Sequence, residues 1–382
     1  MTLRIRPPVI RRLTRRQLLG QLAVGSAAAL LAACGGRRSE GGGRRLAIAN
    51  WPLNIDASEP GLPGTVDRFE QATGIQVDYS EDINDSQAFF ARVRPDLAAG
   101  RPIGPDLFIT PYWMADRLRG LGWLEPLDLQ LIPNRINLSP SLRNPYWDPQ
   151  GRHTLPWQSG VAGIAYNRRA TGREISSIDD LFAPDLHGRV AMLSEMRDTL
   201  GLLMLADGQE VSQPTLKTAN GAFERLRRGR QSGQIRAFTG NDYMNDLLTG
   251  NFKACLAWSG DVAQLARDEP DLQFVVPASG GIRWVDVMAV PRRALHPREA
   301  ARWMDFVYDP VQAARITAAV QYISPVEGVQ ARLEGQPQTA ALADNPLLFP
   351  DAALQRRLHV FGPLDPAEEA RFEQRFAEIT AA

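Results

Sequence analysis

The sequence predicts an α/β protein of two lobes. Two observations carry this. Short apolar runs alternate with helical stretches along most of the chain. The body, about 335 residues from Leu46 onward, also exceeds what a single core of typical size encloses. The alternation implies mostly parallel sheets. In order, RLAIANW (45–51) reads as a strand, followed by a helix over 64–73, the strand IQVDYS (75–80) and a helix over 86–99. DLFIT (106–110) leads into a helix over 112–121. VAGIAYN (161–167), RVAML (189–193), IRAFT (235–239), KACLAW (253–258) and LQFVVP (272–277) are further strands separated by helical segments. GGIRWVDVMAVP (280–291) is a strand leaving a glycine pair, and helices over 297–308, 310–320 and 366–379 close the chain. Trp123 and Trp303 fall on apolar faces and are assigned to packing.

The N-terminus speaks for export. Residues 1–33 carry Arg4, Arg6, Arg11, Arg12, Arg15 and Arg16 and no acid, and end in the apolar run LAVGSAAALLAA. That is a basic region and a short apolar region, too short for a membrane-spanning helix. Thr14-Arg15-Arg16-Gln17-Leu18-Leu19 resembles a twin-arginine signal, and Leu31-Ala32-Ala33-Cys34 resembles a lipobox in which Cys34 is lipidated. A glycine-rich tether to residue 45 follows. The expected location is the periplasmic side of the envelope, anchored by lipid.

Charge and motifs exclude several chemistries. The 43 basic and 43 acidic residues balance, so removing the six arginines of the signal leaves a formal −6, unsuited to nucleic acid. Lysine occurs only at Lys217 and Lys253, and no GxxxxGK[ST] phosphate loop exists. The four histidines, at 153, 187, 296 and 359, are scattered, and no metal or cofactor site is expected. Cys255 lies in an apolar strand, so no disulfide with Cys34 is expected. No GxSxG is present. Paired acids leave a secreted hydrolase open as an alternative.

What remains is a set of aromatics and acids at the carboxyl ends of strands, where open α/β sheets place ligands. Trp51 ends the first strand, and Trp113 follows the third. Glu195 and Asp198 follow RVAML, and Trp258 and Asp261 follow KACLA. Each acid also has an ordinary structural explanation at a helix start, with Ser194 a plausible cap. In GGIRWVDVMAVP, Trp284 and Asp286 are two apart and share a strand face. That sets an aromatic and a carboxylate side by side, either as core and solvated edge or as the wall of a pocket for a cation.

Six segments in order carry a resemblance: ANW (49–51), RFEQATGIQVDYSEDIN (68–84), DLFITPYWMADRL (106–118), LPWQSGVAGIAYN (155–167), NDYMNDLLTGNFKACLAWSGD (241–261) and GGIRWVDVMAVP. From about Leu46 to the final helix the chain is similar to the periplasmic spermidine/putrescine-binding proteins of polyamine ABC transporters. The resemblance implies a two-lobed Venus-flytrap fold of the type II periplasmic binding proteins, with 46–159 plus 284–328 in one lobe and 160–283 plus 329–382 in the other. It implies a ligand cleft between them and no enzyme activity. Trp51, Trp113, Trp258, Trp284 and Tyr322 would be aromatic walls, and Glu195, Asp198, Asp261 and Asp286 would receive ammonium groups. Permease subunits would be the partner, and the receptor a monomer. The pattern departs at Pro52-Leu53-Asn54, at Thr110-Pro111 and at Phe361, where members carry polar contacts, so the choice among amines stays open and a sugar or other polar solute is an alternative.

Overall fold

The computed structural model describes residues 44–381. The expected signal, the tether and Cys34 lie outside them. Ten strands among the described residues form one sheet: β1 Arg45–Ala49, β2 Gln76–Ser80, β3 Leu107–Pro111, β4 Thr154–Asn167, β5 Val190–Leu193, β6 Ile235–Thr239, β7 Ala254–Trp258, β8 Leu272–Val275, β9 Gly281–Ala289 and β10 Leu358–His359. Their order is β2-β1-β3-β9-β4-β7-β5-β6, with β10 beside β9 and β8 beside β4.

The expectation of mostly parallel pairing holds for the two outer parts and for the short β10, which runs parallel to β9. β1 runs parallel to β2 and β3, and β5 runs parallel to β6 and β7. The centre is antiparallel: β9 pairs β3 and β4, and β4 also pairs β7 and β8. The physical reason is that β4 carries the chain from one part of the sheet to the other and β9 brings it back. β4 also starts earlier than the apolar run 161–167 suggests. Its first half contains Pro156, which cannot donate to a ladder, and the register with β9 shifts between Pro156 and Gln158.

The helices are placed by their caps. Asp85 accepts the Ala88 N–H at 2.8 Å to open the helix Ser86–Ala98. Asp309 accepts the Val311 N–H at 2.7 Å, with Pro310 in the first turn of Pro310–Val320. Asp365 accepts the N–H groups of Ala367 and Glu368 at 2.9 Å, opening the helix Pro366–Thr380. Each such cap contributes about 1 kcal/mol. Among the described residues no helix is long and apolar enough to cross a membrane.

Two apolar clusters fill the space on either side of the central strands. The first gathers β1, β3, the second half of β9 and helices up to Leu333 and Ala343; the second gathers β5, β7, the middle of β4 and the Pro366–Thr380 helix through Phe372, Phe376 and Ile379. Trp303 is buried in the first cluster, its ring edge-on to Phe69 at 5.1 Å, and Trp123 stacks on Phe90, so both are packing residues as expected. Cys255 is buried in β7, where desolvation pushes its thiol up. Trp258 and Trp284 pack against both clusters, which marks where the two meet.

Candidate functional site

The parallel strands β1 and β3 of one part, and β5 and β7 of the other, all end at one pocket, whose empty space is about 710 Å³ with the open solvent at its mouth included. Trp51 lies just beyond β1, and Trp113 opens the helix Tyr112–Gly120 after β3. Glu195 and Asp198 start the helix Met196–Ala206 after β5, and Trp258 closes β7. Trp284 and Asp286 enter from β9 on the shared face that a period of two requires, and Tyr322 comes from the turn after Pro310–Val320. Eight of the nine predicted ligand residues therefore line one cavity.

The ninth, Asp261, does not. It is fully buried behind the wall, where its Oδ2 accepts from Asn241 Nδ2 at 3.0 Å and Tyr243 Oη at 2.8 Å and its Oδ1 accepts from Tyr322 Oη. Burial pushes its carboxyl up to about 6, against the lowering by these three donors. With its oxygens so occupied, Asp261 fixes the Tyr322 ring instead of facing the cavity. Two glycines complete that placement. A Cβ on Gly160 would lie 2.4 Å from the Trp284 ring and 2.9 Å from that of Tyr322, and one on Gly260 would lie 2.6 Å from Tyr322. Only residues without a Cβ let the two rings meet edge to face at 5.1 Å.

The acids facing the cavity differ in their support. Asp198 Oδ2 accepts from Trp258 Nε1 at 2.8 Å, which orients both side chains. Glu195, and not Ser194, is the helix cap; Ser194 Oγ instead donates to Asp85 Oδ2 at 2.6 Å across the cleft. Asp286 is 6% exposed, and its carboxyl has no hydrogen-bond partner among the described residues. Burial first, and then the neighbouring Asp198 and Asp261, push its carboxyl well above the usual range. Burial and mutual repulsion likewise raise Glu195, and burial raises Asp198. Three carboxyls are thus held above their ordinary values around one aromatic cavity, where a cation placed among them would favour their ionised forms.

Sequence reasoning missed several lining residues. Asn54, in the segment that departs from the expected pattern, is buried at the wall and accepts from Trp157 Nε1 at 3.0 Å. Phe361 lines the pocket, and its carbonyl accepts from Tyr112 Oη at 2.8 Å. Arg197, between the two predicted acids, is 5% exposed and holds its guanidinium carbon 3.8 Å from the Trp113 ring centre. Trp113 thus reaches the cavity with its ring already carrying a cation of the protein itself. Arg197 also pairs with Glu369, which Arg117 shares at 3.1 Å; Arg117 in turn pairs with Glu373, the acceptor of Gln87 Nε2 at 2.7 Å. The signal for Arg197 was its position inside Glu-Met-Arg-Asp; its partners more than 170 residues away in Glu369 were not visible.

These features define the two-lobed fold of the periplasmic binding proteins, with a cleft where the two apolar clusters meet. The model of the bacterial extracellular solute-binding protein family matches residues 64–350, and the chain belongs to that family. Curated relatives include spermidine/putrescine-binding periplasmic protein 1 of Haemophilus influenzae, 24% identical over 84% of this chain and 86% of that protein. The putrescine-binding periplasmic protein of Escherichia coli is 26% identical over 85% and 88%. Among solved structures, a putative spermidine/putrescine ABC transporter protein from Listeria monocytogenes superimposes with a TM-score of 0.75 at 22% identity, covering 88% of this chain and 98% of that one. Relatives and fold are those of solute-binding proteins and not of enzymes, so the paired-carboxylate hydrolase is set aside.

Proposed function

We propose that this chain is the receptor of an ABC importer, that it captures a polyamine of the putrescine or spermidine kind, and that it delivers it to separate permease subunits. One observation carries the reading: Asp286, whose buried carboxyl has no hydrogen-bond partner among the described residues, beside Trp284 and Asp198 in an aromatic pocket. A polyamine supplies what these groups lack. Its methylenes cover ring faces and its ammoniums meet carboxylates, each cation–ring contact contributing about 0.5–2 kcal/mol. In this reading the lobes follow the two apolar clusters. Residues 46–159 with 284–328 form one, and 160–283 the other; Val329, Leu333 and Ala343 side with the first, and Phe361 to Ile379 with the second. A ligand touching both lobes favours the closed form over the open one.

The test is calorimetric titration with putrescine, spermidine and neutral monosaccharides at rising salt. Amine binding is expected, weakening as salt rises, because partly exposed ion pairs are screened. Tight binding of a neutral sugar without salt dependence would overturn the reading in favour of a polar-solute receptor.

We further propose that the receptor is exported by the twin-arginine route and held at the membrane by lipid on Cys34. The expected result is membrane partition of the parent and release of Cys34→Ser into the soluble fraction. An unmodified Cys34 in the parent would sink the anchor and leave the binding function standing.

A further inference from the structure

Two arginines line the pocket: Arg283, which donates to Ser159 Oγ at 3.3 Å, and Arg197, which is held over an aromatic ring. Arg197 stands in the first turn of the Met196–Ala206 helix, where the macrodipole disfavours positive charge, yet it is 95% buried. Trp113, at 3.8 Å, and Glu369 hold it there. Arg117 approaches the same ring at 5.3 Å. Of the aromatic residues lining the cavity, Trp113 alone carries a guanidinium among the described residues; the rings of Trp51, Trp258, Trp284 and Tyr322 do not.

We infer that Arg197 is a specificity-determining residue: it fills one cationic position of the cleft, so that the pocket takes a short diamine in preference to a longer triamine. This rests on the polyamine reading above. The chemistry follows from two effects. The ring face on which a third ammonium would stack is covered by Arg197, and a cation–ring contact cannot be made twice on the same face. A third ammonium would also lie beside a like charge whose carboxylate partner, Glu369, is shared with Arg117. The carboxylates Asp198 and Asp286 remain for the two ammoniums of a diamine.

The experiment is titration of the purified full chain and of Arg197→Met and Arg197→Lys with putrescine and with spermidine, beside a melting curve for each protein. The parent is expected to bind putrescine at least about tenfold more tightly than spermidine, one like-charge contact being sufficient for that ratio. Arg197→Met keeps most of the stem and removes the charge, and the ratio should collapse towards one through a gain for spermidine. Arg197→Lys keeps the charge and should keep the preference. A parent that binds spermidine as tightly as putrescine overturns this inference and leaves the polyamine reading intact. A preference unchanged in Arg197→Met, or lost equally in Arg197→Lys, overturns it as well. A parent that binds neither amine ends both readings. The parent ratio decides even where the Met variant fails to fold.

Discussion

Asp286→Asn is expected to weaken amine binding by about 1.5–3 kcal/mol, roughly tenfold to a hundredfold or more, the scale of a hydrogen bond to a charged group. The substitution preserves shape and removes only the charge. Folding should respond in the opposite sense. An acid whose folded value is raised binds its proton more tightly in the native state, so its ionisation lowers stability as pH rises above the unfolded value. At neutral pH the amide variant should therefore melt at or above the temperature of the parent. A solvated edge acid would be silent in both measurements. Calorimetry with putrescine and a melting curve separate the cases, and an unchanged affinity for every amine would remove Asp286 from the site.

The second large effect is on pH. Burial raises Glu195, Asp198 and Asp286, and repulsion among the acids raises Glu195 and Asp286 further, so part of this group is protonated in the empty cleft near neutrality. An ammonium favours the ionised forms, so binding releases protons, and affinity must climb with pH through the raised range. The expected rise is up to about tenfold per pH unit for each proton released, between roughly pH 5 and 8. The heat of binding should also depend on the ionisation enthalpy of the buffer. Without ligand the sign reverses: stability falls as pH climbs from the ordinary carboxylate range into the raised one. Affinity that is flat from pH 5 to 8, with no buffer dependence, would show that these acids are ionised before the ligand arrives.

How much of this was legible follows from the range of each interaction. Local periodicity sufficed to put Trp284 and Asp286 on one face, and strand ends sufficed to gather Trp51, Trp113, Glu195, Asp198 and Trp258. These are properties of a few neighbouring residues. Asp261 could not be read in the same way, because Tyr322, 61 residues away, decides that its oxygens are taken. The burial of Arg197 was equally out of reach, because Trp113 and Glu369, which hold it, are far from it in sequence. The antiparallel centre was hidden for a further reason: Pro156 disguised the first half of β4, and strand direction has no local signature.

The place of β9 in the sheet bears on how the chain is made. Eight strands precede it in synthesis, yet it lies between β3 and β4, at the middle of the order. Until residues 281–289 leave the ribosome, the facing edges of β3 and β4 expose unpaired backbone, and the two halves of the sheet have no strand between them. Joining them demands contacts across more than a hundred residues of sequence, the kind of closure that slows folding and prolongs aggregation-prone states. The strand that brings Trp284 and Asp286 to the cavity is thus also a late keystone of translation. A nascent chain short of it has neither a pocket nor a finished sheet.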